Sequence, residues 1–74
     1  MPRERNEAVT AGAKYSRIEA APRQIAEVKR VLDDSAGVSH VQFNLFVERG
    51  NTVVEEGPRT LAATTFLKLY VKSD

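Results

Sequence analysis

His40 is the chain's one histidine, Ser39 stands beside it, and cysteine is absent. A nucleophile and its base need side chains within hydrogen-bond reach of each other, and adjacent residues of an extended segment point to opposite faces. Ser39 and His40 therefore do not form a catalytic pair. One imidazole and no thiolate also exclude zinc sites built from several histidines or cysteines. The doublets Asp33-Asp34 and Glu55-Glu56 could suggest paired-acid catalysis or a cation site. Neighbouring carboxylates on a strand diverge, however, and no Asp-rich loop of calcium-site spacing surrounds them. The glycines stand singly at positions 12, 37, 50 and 57, which leaves no glycine-rich phosphate cradle. This inventory predicts no catalytic residue, no metal site and no cofactor, and hence a protein that is not an enzyme.

The aromatic residues offer a different chemistry. If residues 38–48 and 59–72 are strands, Phe46, Phe66 and Tyr70 share one face with His40, Gln42, Asn44, Lys68 and Lys72. Rings interleaved with amide and ammonium groups can stack the unpaired bases of a single-stranded nucleic acid. The same group also describes a protein-binding hot spot or the self-contact of a homodimer. Charge separates the two. Residues 40–74 hold four bases (Arg49, Arg59, Lys68, Lys72) and four acids (Glu48, Glu55, Glu56, Asp74), whereas nucleic-acid binders concentrate positive charge. Protein contact, including self-association, leads as the expectation. Its predicted residues are Phe46, Phe66, Tyr70, Lys68, Lys72 and Asn44, with single-stranded nucleic-acid binding through the same face as the alternative.

Those faces depend on the elements that carry them. Pro22 suits a first helical turn, and Ile25, Val28, Val31 and Leu32 follow at helical spacing. Arg23 with Glu27, Lys29 with Asp33 and Arg30 with Asp34 make i, i+4 charge pairs on the other side, and Gly37 offers a left-handed C-terminal cap. The pattern predicts a helix over 21–34. Residues 38–48 alternate, with Val41, Phe43, Leu45 and Val47 on one face, and predict a strand. Gly50-Asn51 then suits a two-residue turn into a β-rich return over 52–56, which Gly57-Pro58 ends. Residues 59–72 fit a helix with Ala62, Phe66, Leu69 and Tyr70 on one side, or a strand. The β-branched and aromatic run T-T-F-L-K-L-Y-V favours the strand. Residues 14–20 add a short strand or extended lead-in. The expected fold is α+β, one α-helix packed on the odd-numbered face of a three- to four-stranded antiparallel β-sheet.

At 74 residues and 8.2 kDa the chain has room for one domain. Residues 1–13, with Pro2, Gly12 and no apolar periodicity, read as a flexible N-terminal arm ahead of a single α+β domain at 14–74. A net charge of +1 provides no global field toward nucleic acid or anionic membrane. No apolar run approaches the roughly 20 residues that span a bilayer, and no apolar signal segment follows Met1. A cytoplasmic protein with no membrane partner is expected. With residues 59–72 read as a helix the element order is similar to that of double-stranded-RNA-binding domains, and a helix crossing an antiparallel sheet is similar to the cystatin inhibitors. The lysine cluster of the former is absent, and V-E-R-G-N-T-V replaces the Gln-x-Val-x-Gly hairpin of the latter, so neither function carries over. In size and lack of cysteine it resembles, as a class, phage-encoded inhibitors of host proteins such as anti-CRISPRs. Without disulfides, so short a chain gains from burying a sheet face against a second copy. The expectation is a small non-enzymatic protein-interaction module, homodimeric, that acts by binding and, on that analogy, inhibiting another protein.

Overall fold

The computed structural model describes residues 9–73. Five strands, β1 (Lys14–Arg17), β2 (Gln24–Asp33), β3 (Ser39–Arg49), β4 (Thr52–Ala62) and β5 (Tyr70–Ser73), form one sheet, and a single helix, α1 (Ala63–Leu69), precedes β5. The strand order is β4-β3-β2-β1-β5 and every pairing is antiparallel. The first four strands are thus a meander, and the chain returns to the opposite edge through α1. The fold is one short helix on a five-stranded antiparallel sheet, larger than the three to four strands expected.

The helix expected over 21–34 is instead β2, the middle strand of the sheet. A β-bulge at Lys29 explains the misleading spacing: Val28 pairs with Phe43 but Arg30 pairs with Gln42. Inserting one residue flips the alternation, so Val28 and Val31, three apart, both stand on the α1 side, as they would on a helix. Ile25 and Leu32 fall on the other side. The charged i, i+4 pairs are replaced by Lys29–Glu27 at 3.5 Å and Arg23–Glu48 at 3.9 Å. Gly37 does adopt positive φ (+81°), but in the β2–β3 turn rather than at a helix end. There Gly37 N–H donates to Asp34 O (2.9 Å), and the Asp34 carboxylate accepts from Ala36 N–H and Val38 N–H, both at 2.9 Å. These bonds hold its carboxyl below the ordinary value, chiefly through Val38, with Ala36, His40 and Gly37 adding to the effect.

The strand over 38–48 and the Gly50-Asn51 hairpin are as expected. Arg49 pairs with Thr52 across a two-residue loop in which Gly50 takes φ +62°, as a type II′ turn requires. β4 then runs through Gly57-Pro58 to Ala62. A bulge at Glu56 and Pro58 on this edge strand are both compatible with its exposed side. The single strand expected over 59–72 divides into the end of β4, α1 and β5. Tertiary demand overrides the β-propensity of Thr64, Thr65 and Phe66. Four strand spacings of ~4.8 Å would put β4 and β5 ~19 Å apart in a flat sheet. The helical path from Ala62 to Tyr70 advances only ~12 Å. The sheet therefore curls around α1, and Phe66 fills the hollow.

The core lies on that side: Tyr15, Ala26, Val28, Val41, Phe43, Phe66 and Tyr70 are buried, with Leu45, Leu61 and Leu69 packed against them. Val9 and Ala13 pack there too, and Gly12 N–H donates to Val28 O while Ala13 O accepts from Val28 N–H. The last residues of the expected arm thus belong to the folded unit; the arm's residues 1–8 lie outside the described ones. Among the described residues, no helix is long and apolar enough to cross a membrane.

Candidate functional site

The structure does not bring the six expected interaction residues together. Phe66 is 0% exposed and Tyr70 3%, because α1 turns Phe66 inward and β5 places Tyr70 on the core side of the sheet. Their rings stack at 4.7 Å, and Phe66 also meets Tyr15 (5.0 Å) and Phe43 (5.1 Å). Lys68 lies exposed in the last turn of α1, and Lys72, exposed, pairs with Tyr15 on the core side of the sheet. Only Phe46 and Asn44 remain on the face away from α1. Phe46 is the one aromatic residue outside the core cluster, and a single ring cannot stack successive bases.

Among the described residues no element lies over the face opposite α1, and the register defines its chemistry. One row crosses all five strands in the order Val71, Ser16, Ile25, Phe46, Glu55. The next row reads Ser73, Lys14, Glu27, Asn44, Pro58. Lys14, Ile25, Glu27, Phe46 and Val53 line a groove of about 310 Å³ there. Val53 is 57% exposed and Val71 52%, apolar area that no element among the described residues covers. Arg23 bounds the face, donating to Ser16 Oγ at 3.3 Å. Sequence reasoning found Phe46 but missed Ile25, Val53 and Val71. Ile25 was hidden by the helical reading, and Val71 by placing the terminal segment in the wrong phase.

The β2–β3 turn gathers the polar residues that could suggest catalysis. Ser39 Oγ donates to Asp33 Oδ1 at 2.6 Å, and His40 Nδ1 stands 3.9 Å from Asp34 Oδ2. Ser39 and His40 lie on opposite faces, so hydroxyl and imidazole serve separate carboxylates. Asp34 is a turn residue, a role legible in the D-S-A-G run. Among the described residues no three histidine or carboxylate side chains converge as a metal site would require. Comparison of the chain with protein-family models, with curated proteins and with solved structures finds no match.

Proposed function

We propose that this chain is a non-enzymatic protein-interaction module that pairs with a second copy through the face opposite α1, leaving the α1 side to engage another protein. The observation that carries the reading is the self-complementary register of that face. A two-fold axis running along the strands between β1 and β2 sets β2 against β1 and β3 against β5 of the partner subunit, with β4 outside the paired strands. Phe46 would then meet Val71 of the partner subunit, and Ile25 would meet Ser16 of the partner subunit. Lys14 would meet Glu27 of the partner subunit, and Asn44 would meet Ser73 of the partner subunit. One apolar contact, one contact of opposite charges and one polar contact result in each half of the interface, as an isologous contact needs, and Ile25 faces the small hydroxyl side chain of Ser16 of the partner subunit. A stable contact takes about 800 Å² per partner, roughly a sixth of the chain's 4799 Å².

Charge reversal tests this pairing. The wild type should show twice the mass of one chain by analytical ultracentrifugation at micromolar concentration. Lys14→Glu and Glu27→Lys should each weaken pairing, since each puts like charges in both symmetric contacts, and Lys14→Glu with Glu27→Lys should restore it. Val71→Lys should give a folded monomer. A wild-type mass of one chain would overturn the dimer, and a dimer indifferent to all these changes would place its contact elsewhere.

A further inference from the structure

We infer that the α1 side of the sheet holds a second site, a cleft that takes one apolar side chain from an acidic segment of a partner protein. The cleft measures about 230 Å³. Phe43, Leu45, Leu69 and Tyr70 form its apolar wall, and Arg17 and Arg59 line it as well. The inference rests on the protein-binding part of the proposed function and not on the dimer.

Phe43 and Tyr70 form the buried floor of this wall, and its rim is open to solvent. Leu45 and Leu69 are half-buried, and the residue paired with Leu45 on β4 is Gly57, which contributes no side chain. A Cβ built at Gly57 would find only Arg59 Nη1, at 4.0 Å. The space beside Leu45 is therefore unfilled, and the Arg59 guanidinium borders it. This volume falls below the ~300–1,000 Å³ of pockets that enclose a whole drug-sized ligand. It suits a single anchoring side chain whose backbone stays outside.

The charge of the cleft selects the neighbours of that side chain. Arg17 lies 5.7 Å from the centre of the Tyr70 ring, within cation–π range, which holds its guanidinium at the wall. Arg59 Nη1 donates to Pro58 O (3.0 Å) and Glu56 O (3.4 Å). Each guanidinium has five N–H donors, so both keep donors to spare. Among the described residues neither has a carboxylate in ion-pair range, whereas Arg23 has Glu48 at 3.9 Å. Two cations without counter-charge beside exposed apolar surface are complementary to a carboxylate next to an apolar group, and the guanidinium fork matches a carboxylate's two oxygens. A nucleic-acid strand is less well served. It needs cations along a track and rings presented for stacking, and the rings here are committed to the core.

The test uses the full chain, isotope-labelled, titrated with terminally blocked hexapeptides carrying a central Leu or Phe between Asp or Glu residues. Matched peptides with Gln or Lys in place of the acids, decanoate and a deoxythymidine decamer serve as the other probes. Acidic peptides should shift the amide signals of Leu45, Arg59, Leu69 and Tyr70, and bind more weakly as salt rises. Gln-flanked peptides should bind at least about tenfold more weakly. Arg17→Gln and Arg59→Gln should each lose a similar factor while the remaining spectrum and the oligomeric mass stay unchanged. Equal binding of acidic and Gln-flanked peptides, shifts confined to other surfaces, or binding indifferent to both arginine changes would overturn the inference. So would tighter binding of decanoate or of the oligonucleotide, which would assign the cleft to a lipid-like carboxylate or to nucleic acid. Because peptide affinity and chain mass are read separately, failure of the cleft and failure of the dimer are distinguishable.

Discussion

Phe66 and Leu67 are adjacent residues whose contributions exchange according to whether the segment is helix or strand. In the structure Phe66 is fully buried within 5.1 Å of three other rings, while Leu67, on the outer side of α1, is 38% exposed. Phe66→Ala removes a side chain whose loss from a core costs about 3–5 kcal/mol. A chain of 74 residues has a total stability of only ~4–11 kcal/mol at ~0.05–0.15 kcal/mol per residue. Phe66→Ala should therefore take most or all of the stability, and Leu67→Ala less than about 1 kcal/mol. With a urea slope near ~1 kcal/mol per molar, the Phe66→Ala midpoint should fall by ~3 M or more, or the protein should be unfolded in buffer. Phe66→Leu keeps part of the packing and supplies a folded variant for comparison. In a continuous strand with Leu67 turned to the core, the order would reverse. Urea melts in which Leu67→Ala costs more than both Phe66 variants would refute the helix and the core built on it.

The β2–β3 turn supplies two further expectations. Gly37→Ala should cost about 1 kcal/mol or more, because φ is +81° while an added Cβ would touch nothing within 4 Å; the loss is backbone strain, and Gly37→Asn should lose less. A neutral Gly37→Ala in thermal melts would show that the turn is not formed as described. Asp34→Asn addresses pH. The carboxyl's pKa is lowered by folding from its ordinary 3.8, so its contribution is present above that value and lost as pH falls through the lower folded value. Wild type should exceed Asp34→Asn in stability at pH 6, and the gap should close on acidification below 3.8; a gap that is constant with pH would remove the carboxylate from the turn's energetics.

What the sequence made legible is what local chemistry settles. The alternation of Val41, Phe43, Leu45 and Val47 identified β3 and its buried side, and Gly50-Asn51 identified the hairpin, because a period-two pattern and a positive-φ residue have few other uses. β2 was hidden because a bulge at Lys29 imitates helical spacing, and nothing in a single strand announces a bulge. Residues 63–69 were hidden for the opposite reason. Their propensity points to a strand, but the chain must travel from β4 to β5, and only α1 both makes that crossing and brings Phe66 over the core. The functional reading inherited both errors. Moving Phe66 and Tyr70 into the core removed two of three rings from the expected surface, while moving 21–34 into the sheet added Ile25 and Glu27 to it.

The curled sheet also constrains how the two surfaces can act together. Its outer face presents Phe46, Val71, Lys14 and Glu27, and its inner side holds α1 and the arginine cleft, so one layer of backbone separates them. In the proposed dimer the outer faces meet at the centre, and the two clefts therefore point away from each other. Two acidic segments on the same side of one rigid partner could not fill both clefts, and the gain in effective concentration that bivalency brings would be absent. Two separate partner molecules could fill them independently. Each cleft would then bind with the same affinity in dimer and monomer, and a saturated dimer would hold one partner segment per chain. Titration of wild type and of the monomeric Val71→Lys variant with the same acidic peptide compares the two directly. Equal affinities and one peptide per chain follow from this geometry; an affinity that falls on dissociation to monomers would mean that the clefts lie against the dimer contact and that the outer faces do not form it.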